Sequence, residues 1–226
     1  MKITAACAAA LALLATAGAA SAQDIDFSFN AALTTDYVFR GASQSDEEFA
    51  VQGGVDMTAG AFYAGAWAST VDFGDETQAE IDLYTGFRTE AAGYALDFGV
   101  IGYLYANDDQ SSDYDYLEVK AAASRAFGPA TIGAAVYYSP NFFGSADDEA
   151  TYVEVNAAFS PIDKVTVSGA VGNQYLDVSD DYLTWNLGAT YAFTDNLALD
   201  VRYHDTDFDG SYLYDGRVNA TIKALF

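Results

Sequence analysis

The last eleven residues, Gly216 to Phe226, set Val218, Ala220, Ile222, Ala224 and Phe226 on one side of an extended chain and Arg217, Asn219, Thr221 and Lys223 on the other. Successive side chains on a pleated strand point to opposite faces, so this period of two marks a strand with one apolar and one polar face. The alternation recurs upstream. Trp185, Leu187, Ala189 and Tyr191 oppose Thr184, Asn186, Gly188 and Thr190; Val165, Val167 and Val171 oppose Thr166 and Ser168; Ile81, Leu83 and Phe87 oppose Glu80, Asp82 and Arg88. About twelve such segments follow one another, near residues 25–39, 48–58, 61–71, 78–89, 93–105, 115–127, 130–138, 150–160, 163–174, 182–193, 196–205 and 212–226. Each has roughly the ten-residue length with which a tilted strand crosses a bilayer.

The connections alternate in character. Thr58 to Gly60, Glu90 to Gly93, Gly128-Pro129, Pro161-Ile162 and Thr194 to Asn196 are short and weakly charged. Gly41 to Glu48, Asp72 to Glu76, Asn107 to Asp113, Ser139 to Glu149, Asp177 to Asp181 and Asp205 to Gly210 are longer and mostly acidic. Short turns on one rim and long loops on the other are the layout of an up-and-down outer-membrane barrel, and an even strand number puts both termini on the short-turn, periplasmic side. A secreted β-sandwich would also alternate, but nothing would make its connections do so. The three prolines, Pro129, Pro140 and Pro161, are expected in connections, since proline cannot donate to a ladder.

Other classes fall away. No segment after the leader reaches the ~18 apolar residues of a spanning helix; the best run, Phe98 to Ala106, is bounded by Asp97 and Asn107. A formal charge of −24 would repel phosphate backbones, which excludes nucleic acid as a partner. Lys2, the apolar run Ile3 to Ala15 and Ala20-Ser21-Ala22 form a secretory leader over residues 1–22, with a barrel domain over 23–226. Its removal takes away Cys7, and with it any disulfide scaffold.

The blocks "TDYVFRGASQ" (Thr35 to Gln44), "FAVQGGVD" (Phe49 to Asp56), "GAFYAGAWAS" (Gly60 to Ser69) and "EIDLYTGF" (Glu80 to Phe87) resemble, in order and spacing, the TorF family of porins. The likeness is densest over residues 30–105, and Phe49 stands where the family pattern has a proline. It implies an outer-membrane porin and brings no solute with it. The aromatic last residue, Phe226, looks like the recognition signal of the barrel assembly machinery.

On a barrel, parity places Asp56, Glu80, Asp82, Asp97, Glu118, Glu154, Asp200 and Asp215 in the lumen together with Arg88, Lys120, Lys164, Arg202, His204, Arg217 and Lys223. Such a wall either forms an ion-paired filling or lines a water-filled path. Small residues expected to face inward, Ala50, Gly54, Ala64, Ala66, Ala68, Gly86, Gly99, Gly133, Ala135, Gly172 and Gly188, favour a narrow channel. Aromatic residues near strand ends, among them Trp67, Tyr103, Tyr105, Phe127, Tyr138, Tyr182 and Phe193, would form interfacial girdles. The sole His, His204, lacks a legible nucleophile beside it, so neither catalysis nor a cofactor is expected. Asp205, Asp207 and Asp209 begin a D-x-D-x-D-G calcium motif whose twelfth position is Gly216 where Glu is required, a weak candidate for a divalent cation. The expected role is passive diffusion of small hydrophilic solutes across the lipid of the outer membrane, with weak cation preference from the acidic mouth. The alternative is a non-conducting structural or interaction barrel acting through its loops.

Overall fold

The computed structural model describes residues 24–107, 113–144 and 148–226. The leader and the loop acids Asp108, Asp109 and Asp147 lie outside the described residues. Twelve antiparallel strands close into one barrel: β1 Ile25–Thr34, β4 Ala50–Ala59, β5 Phe62–Thr70, β6 Thr77–Ala91, β7 Tyr94–Asn107, β8 Tyr116–Phe127, β9 Ala130–Phe142, β10 Asp148–Ile162, β11 Val165–Leu176, β12 Tyr182–Ala192, β13 Leu197–Thr206 and β14 Arg217–Leu225. Two further strands, β2 Val38–Phe39 and β3 Ala42–Ser43, pair only with each other. Each barrel strand pairs with its sequence neighbour, and β1 with β14 closes the ring. The seam is short: five register pairs, Asn30 with Leu225 through Thr34 with Thr221, against ten between β1 and β4.

The alternation holds around the ring. Phe27, Leu33, Val51, Ile132, Val155, Leu187 and Ile222 are exposed on the outer surface, whereas buried Thr34, Ser69, Glu80, Glu118, Gln174 and Thr184 point inward. An apolar exterior around a polar interior inverts the usual arrangement of a water-soluble domain and suits a surface covered by hydrocarbon.

The turns on one rim are tight because their backbone is left-handed. Ala92 (φ 53°) and Gly93 (φ 78°) both lie in that region, as a two-residue hairpin turn whose twist matches its strands requires. The turn after β10 is Asp163–Lys164, with Ile162 paired to Val165, so the strand runs two residues past its expected end at 160 and takes in the expected Pro161-Ile162 connection. Pro161 is therefore inside β10 and Pro140 inside β9, contrary to expectation. Both are tolerated because the ladder slips there. The register shifts between Phe159 and Ile162, and again where Asp148 meets Phe142 but Ala150 meets Ser139.

Three further expectations are corrected. The first segment does not run to residue 39: β1 stops at Thr34 and the chain turns into the barrel. The last strand starts at Arg217, after a single 3-10 turn over Tyr212–Tyr214. In β5 the parity is opposite to that assumed, since Trp67 faces Asp82 and Gly54 across the lumen-side ladder. Tyr63, Gly65, Trp67 and Ser69 thus point inward, and Ala64, Ala66 and Ala68 point out.

Candidate functional site: a hairpin folded into the lumen

Between β1 and β4 the chain leaves the wall and folds back inside it. Val38 pairs with Ser43 and Phe39 with Ala42, and the two residues between them, Arg40 (φ 47°) and Gly41 (φ 85°), both adopt the left-handed conformation of a tight hairpin turn. Gly41 is needed for space as well. A Cβ there would stand 2.3 Å from Cγ2 of Thr206 and 2.6 Å from Oγ1 of Thr184, on β13 and β12. The hairpin tip therefore presses against the inner wall, and Ala42 to Ser45 are all buried.

Polar side chains tie this hairpin to widely separated strands. At its root, Asp36 accepts from the hydroxyls of Ser43 (2.7 Å) and Ser45 (3.1 Å) and pairs with Arg217 of β14 at 3.2 Å. Midway, the Tyr37 hydroxyl donates to Glu80 of β6 at 2.8 Å and its ring meets Trp67 edge-on at 5.4 Å. At the tip, both Nη groups of Arg40 donate to the two oxygens of Glu118 on β8, at 2.7 and 2.8 Å, and Nη1 also donates to Oε1 of Gln174 on β11 at 3.1 Å. The guanidinium sits 4.4 Å from the ring centre of Tyr152, 4.6 Å from Phe39 and 5.0 Å from Tyr137. Side-chain exposure is 6% for Arg40 and 1% for Glu118. A buried ion pair offsets its desolvation only through good geometry and full hydrogen bonding, and the bidentate fork with an amide and three ring faces supplies both.

Below the hairpin, toward the short-turn rim, the lumen opens into a cavity of about 570 Å³. Asp97 organises its wall, accepting from Lys120 (2.9 Å) and Tyr63 (2.7 Å) and lying 3.6 Å from Nε of Arg88, which is itself 61% exposed. Glu154 accepts from Tyr152 and Asn156, and Asp56 from Tyr84. A second cluster joins Asp200 to Arg202 (3.1 Å) and Thr190, with Arg202 reaching Asn186 and Ser168. Asp82 and His204 each keep one buried atom, Oδ1 and Nε2, without a hydrogen-bond partner.

The register sets Asp56, Glu80, Asp82, Asp97, Glu118, Glu154, Asp200, Arg88, Lys120, Arg202, His204 and Arg217 on the inner face of the wall. Lys223 shares that face near the short-turn rim and is exposed. Lys164 does not sit on the wall: it is the second residue of a tight turn, φ 71°, its ammonium 3.4 Å from the carbonyl of Phe193. Asp215 caps the 3-10 turn rather than lining a strand. The calcium candidates diverge. Asp205 accepts from Tyr203, Asp207 from the Leu183 amide, and no group of three or more acidic, His or Cys side chains converges among the described residues. Of the aromatics expected in girdles, Phe127, Tyr138 and Phe193 are exposed, but Tyr103 and Tyr182 are buried, the former stacked on Tyr116 inside the long-loop mouth at 4.3 Å.

The sequence reading did not include Arg40, Asp36, Tyr37 or Gln174 in the site. The available signal was Arg40-Gly41, a turn-prone pair placed between two short runs, Tyr37 to Phe39 and Ala42 to Gln44.

Solved structures similar in fold include the KdgM porin, at a TM-score of 0.60 and 8% identity over 88% of this chain and 99% of that one. A KdgM porin in complex with disordered oligogalacturonate gives 0.59 at 7% identity, covering 88% and 98%. An outer membrane channel from Pseudomonas putida F1 gives 0.53 at 10% identity, covering 92% and 97%. No curated protein matches the chain in sequence. A family model described as "Bacterial protein of unknown function (Gcw_chp)" matches residues 16–226, nearly the whole length. The chain belongs to the Gcw_chp family of bacterial proteins.

Proposed function

We propose that the chain is an outer-membrane diffusion channel for small hydrophilic solutes, with an aperture set by the hairpin folded in from Thr35 to Phe49. The observation that carries this is a closed twelve-strand barrel whose outer face is apolar and whose inner face is lined by ion pairs and hydroxyls. The similarity in fold to porins and an outer membrane channel, and the resemblance of residues 30–105 to TorF-family porins, support the same reading. A leader over residues 1–22 exports the chain, the assembly machinery reads the C-terminal Phe226, both termini face the periplasm and the long loops face outward. The acidic loops raise local cation concentration at the mouth and give a weak cation preference. No catalytic step is part of this reading, in which His204, level with Asn186 and Arg217 in the ladder, is a residue of the lumen wall.

Reconstitution tests the reading. Liposomes carrying the refolded protein should swell in small sugars or amino acids, and planar bilayers should show unitary conductance. A barrel that inserts yet does neither favours the second reading, a non-conducting barrel acting through its loops. One observation speaks for that second reading: the Arg40–Glu118 pair is buried, so the seated hairpin tip fills the lumen at that point.

A further inference from the structure

Above the hairpin, on the long-loop side, lies a cleft of about 590 Å³, within the ~300–1,000 Å³ of small-molecule sites. Its walls are aromatic. On one side Tyr182, Phe208 and Tyr214 pack against one another, with ring centres 4.7 to 6.1 Å apart. On another, Phe142 and Phe143 meet edge-on at 4.8 Å, Phe142 resting against buried Tyr116. Phe39 of the hairpin also lines it. Residues from four different connections thus face one volume.

The charges in the lining have one sign. Asp148 and Asp180 are there and no Lys, Arg or His is. Two guanidiniums lie near it and both are already paired: Arg40, over Phe39, with Glu118, and Arg217, which donates to the Tyr212 carbonyl, with Asp36 and Glu47. Asp148 is fixed by the amides of Asp177, Val178 and Ser179, which holds its charge in place beside the cleft. Gln44, 6% exposed, has a side-chain carbonyl with no hydrogen-bond partner and also lines the cleft. Ring faces carry negative quadrupole charge and attract desolvated cations, most of all those too large and weakly hydrated to prefer water.

We infer that this cleft is a binding site for small organic cations, held by cation–π contact with Tyr182, Phe208 and Tyr214 and by the fixed carboxylate of Asp148. The site rests on the chain being a barrel with these loops in place, and its test separates it from conduction. Titration calorimetry on the refolded, detergent-solubilised protein compares choline with 3,3-dimethylbutan-1-ol, which has the same shape without the charge, and with glucose. Choline should bind at least tenfold more tightly than either. Tyr182→Leu and Phe208→Leu keep apolar volume but remove the ring faces. Each should weaken choline several-fold and leave the neutral isostere unchanged, with heat-modifiable gel migration confirming that the barrel is folded. Equal affinity for choline and its isostere, tighter binding of glucose, or no binding of choline by a protein that conducts in bilayers would each overturn the inference. Choline binding by a protein that inserts but does not conduct would overturn the channel reading and leave this one standing.

Discussion

Arg40 is the residue on which the seating of the hairpin depends. Its guanidinium is the positive partner of Glu118 at a position almost without solvent. Arg40→Ala should therefore cost about 3–5 kcal/mol, because it leaves a buried carboxylate uncompensated. Chemical denaturation read by heat-modifiable migration checks this. The double variant Arg40→Ala with Glu118→Gln should regain part of the loss, since the orphaned charge is gone. Both should also raise single-channel conductance by releasing the hairpin tip from β8 and β11; unchanged conductance would mean that the hairpin is not on the conduction path. A second residue, Asp75 in the connection between β5 and β6, accepts from the Thr77 amide at 2.8 Å and from the Tyr114 hydroxyl at 2.8 Å. The Thr77 amide above all holds its carboxyl below the ordinary value. A depressed carboxyl stabilises the fold above its unfolded pKa, about 3.9 for Asp, and that contribution fades as pH falls through the folded value. Protection of the Thr77 amide from hydrogen exchange should accordingly persist through neutral and mildly acidic pH and be weaker in Asp75→Ala.

At the scale of the strand, the two faces predict opposite tolerances. Val167→Arg and Leu187→Arg put charge on the apolar exterior and should destabilise by about 2–4 kcal/mol near mid-depth, while Thr166→Arg on the inner face of the same strand should be far milder. Asn186, also inward, is a poorer control, because it accepts from Arg202 at 2.6 Å and a second arginine would crowd the first. The period of two made strand existence and most inward positions legible in the sequence, since lipid outside and polar wall inside leave each residue little choice. What it could not convey is where a strand stops being wall. Tyr37 and Phe39 continue the alternation of β1 as well as any wall residue would. The chain leaves the sheet at Thr35 because of contacts that exist only once the barrel does: Asp36 with Arg217, Arg40 with Glu118 and Gln174. Prolines misled for a related reason. A proline reads as a break, yet a bulge lets a long strand carry one, and the bulges at Pro140 and Pro161 are visible only in the pairing with neighbours. In β5 the run of small residues around Trp67 suits either face, so the pattern alone did not fix its parity.

For the whole molecule, charge is divided between a wall where acids and bases largely pair and a rim where acids dominate. Selectivity set at the rim should be long-ranged and weak. In bilayers with a salt gradient the reversal potential should indicate mild cation preference at low ionic strength and approach zero as salt rises, because the screening length is only about 8 Å at 0.15 M and about 3 Å at 1 M. Anion preference at low salt would instead make Arg88, Lys120 and their neighbours around the lower cavity the limiting section. The closing seam has a different consequence, one of timing. Asn30 and Leu225 are partners although they stand at opposite ends of the barrel sequence, so the ring cannot shut until its final strand has been delivered. Every earlier stage is an open sheet with two raw edges and a greasy outer surface, the kind of species that pairs with other chains in preference to waiting. Loss of only Arg217–Leu225 should therefore yield aggregate rather than a leaky barrel, and the unfinished chain must be shielded along its whole route to the membrane.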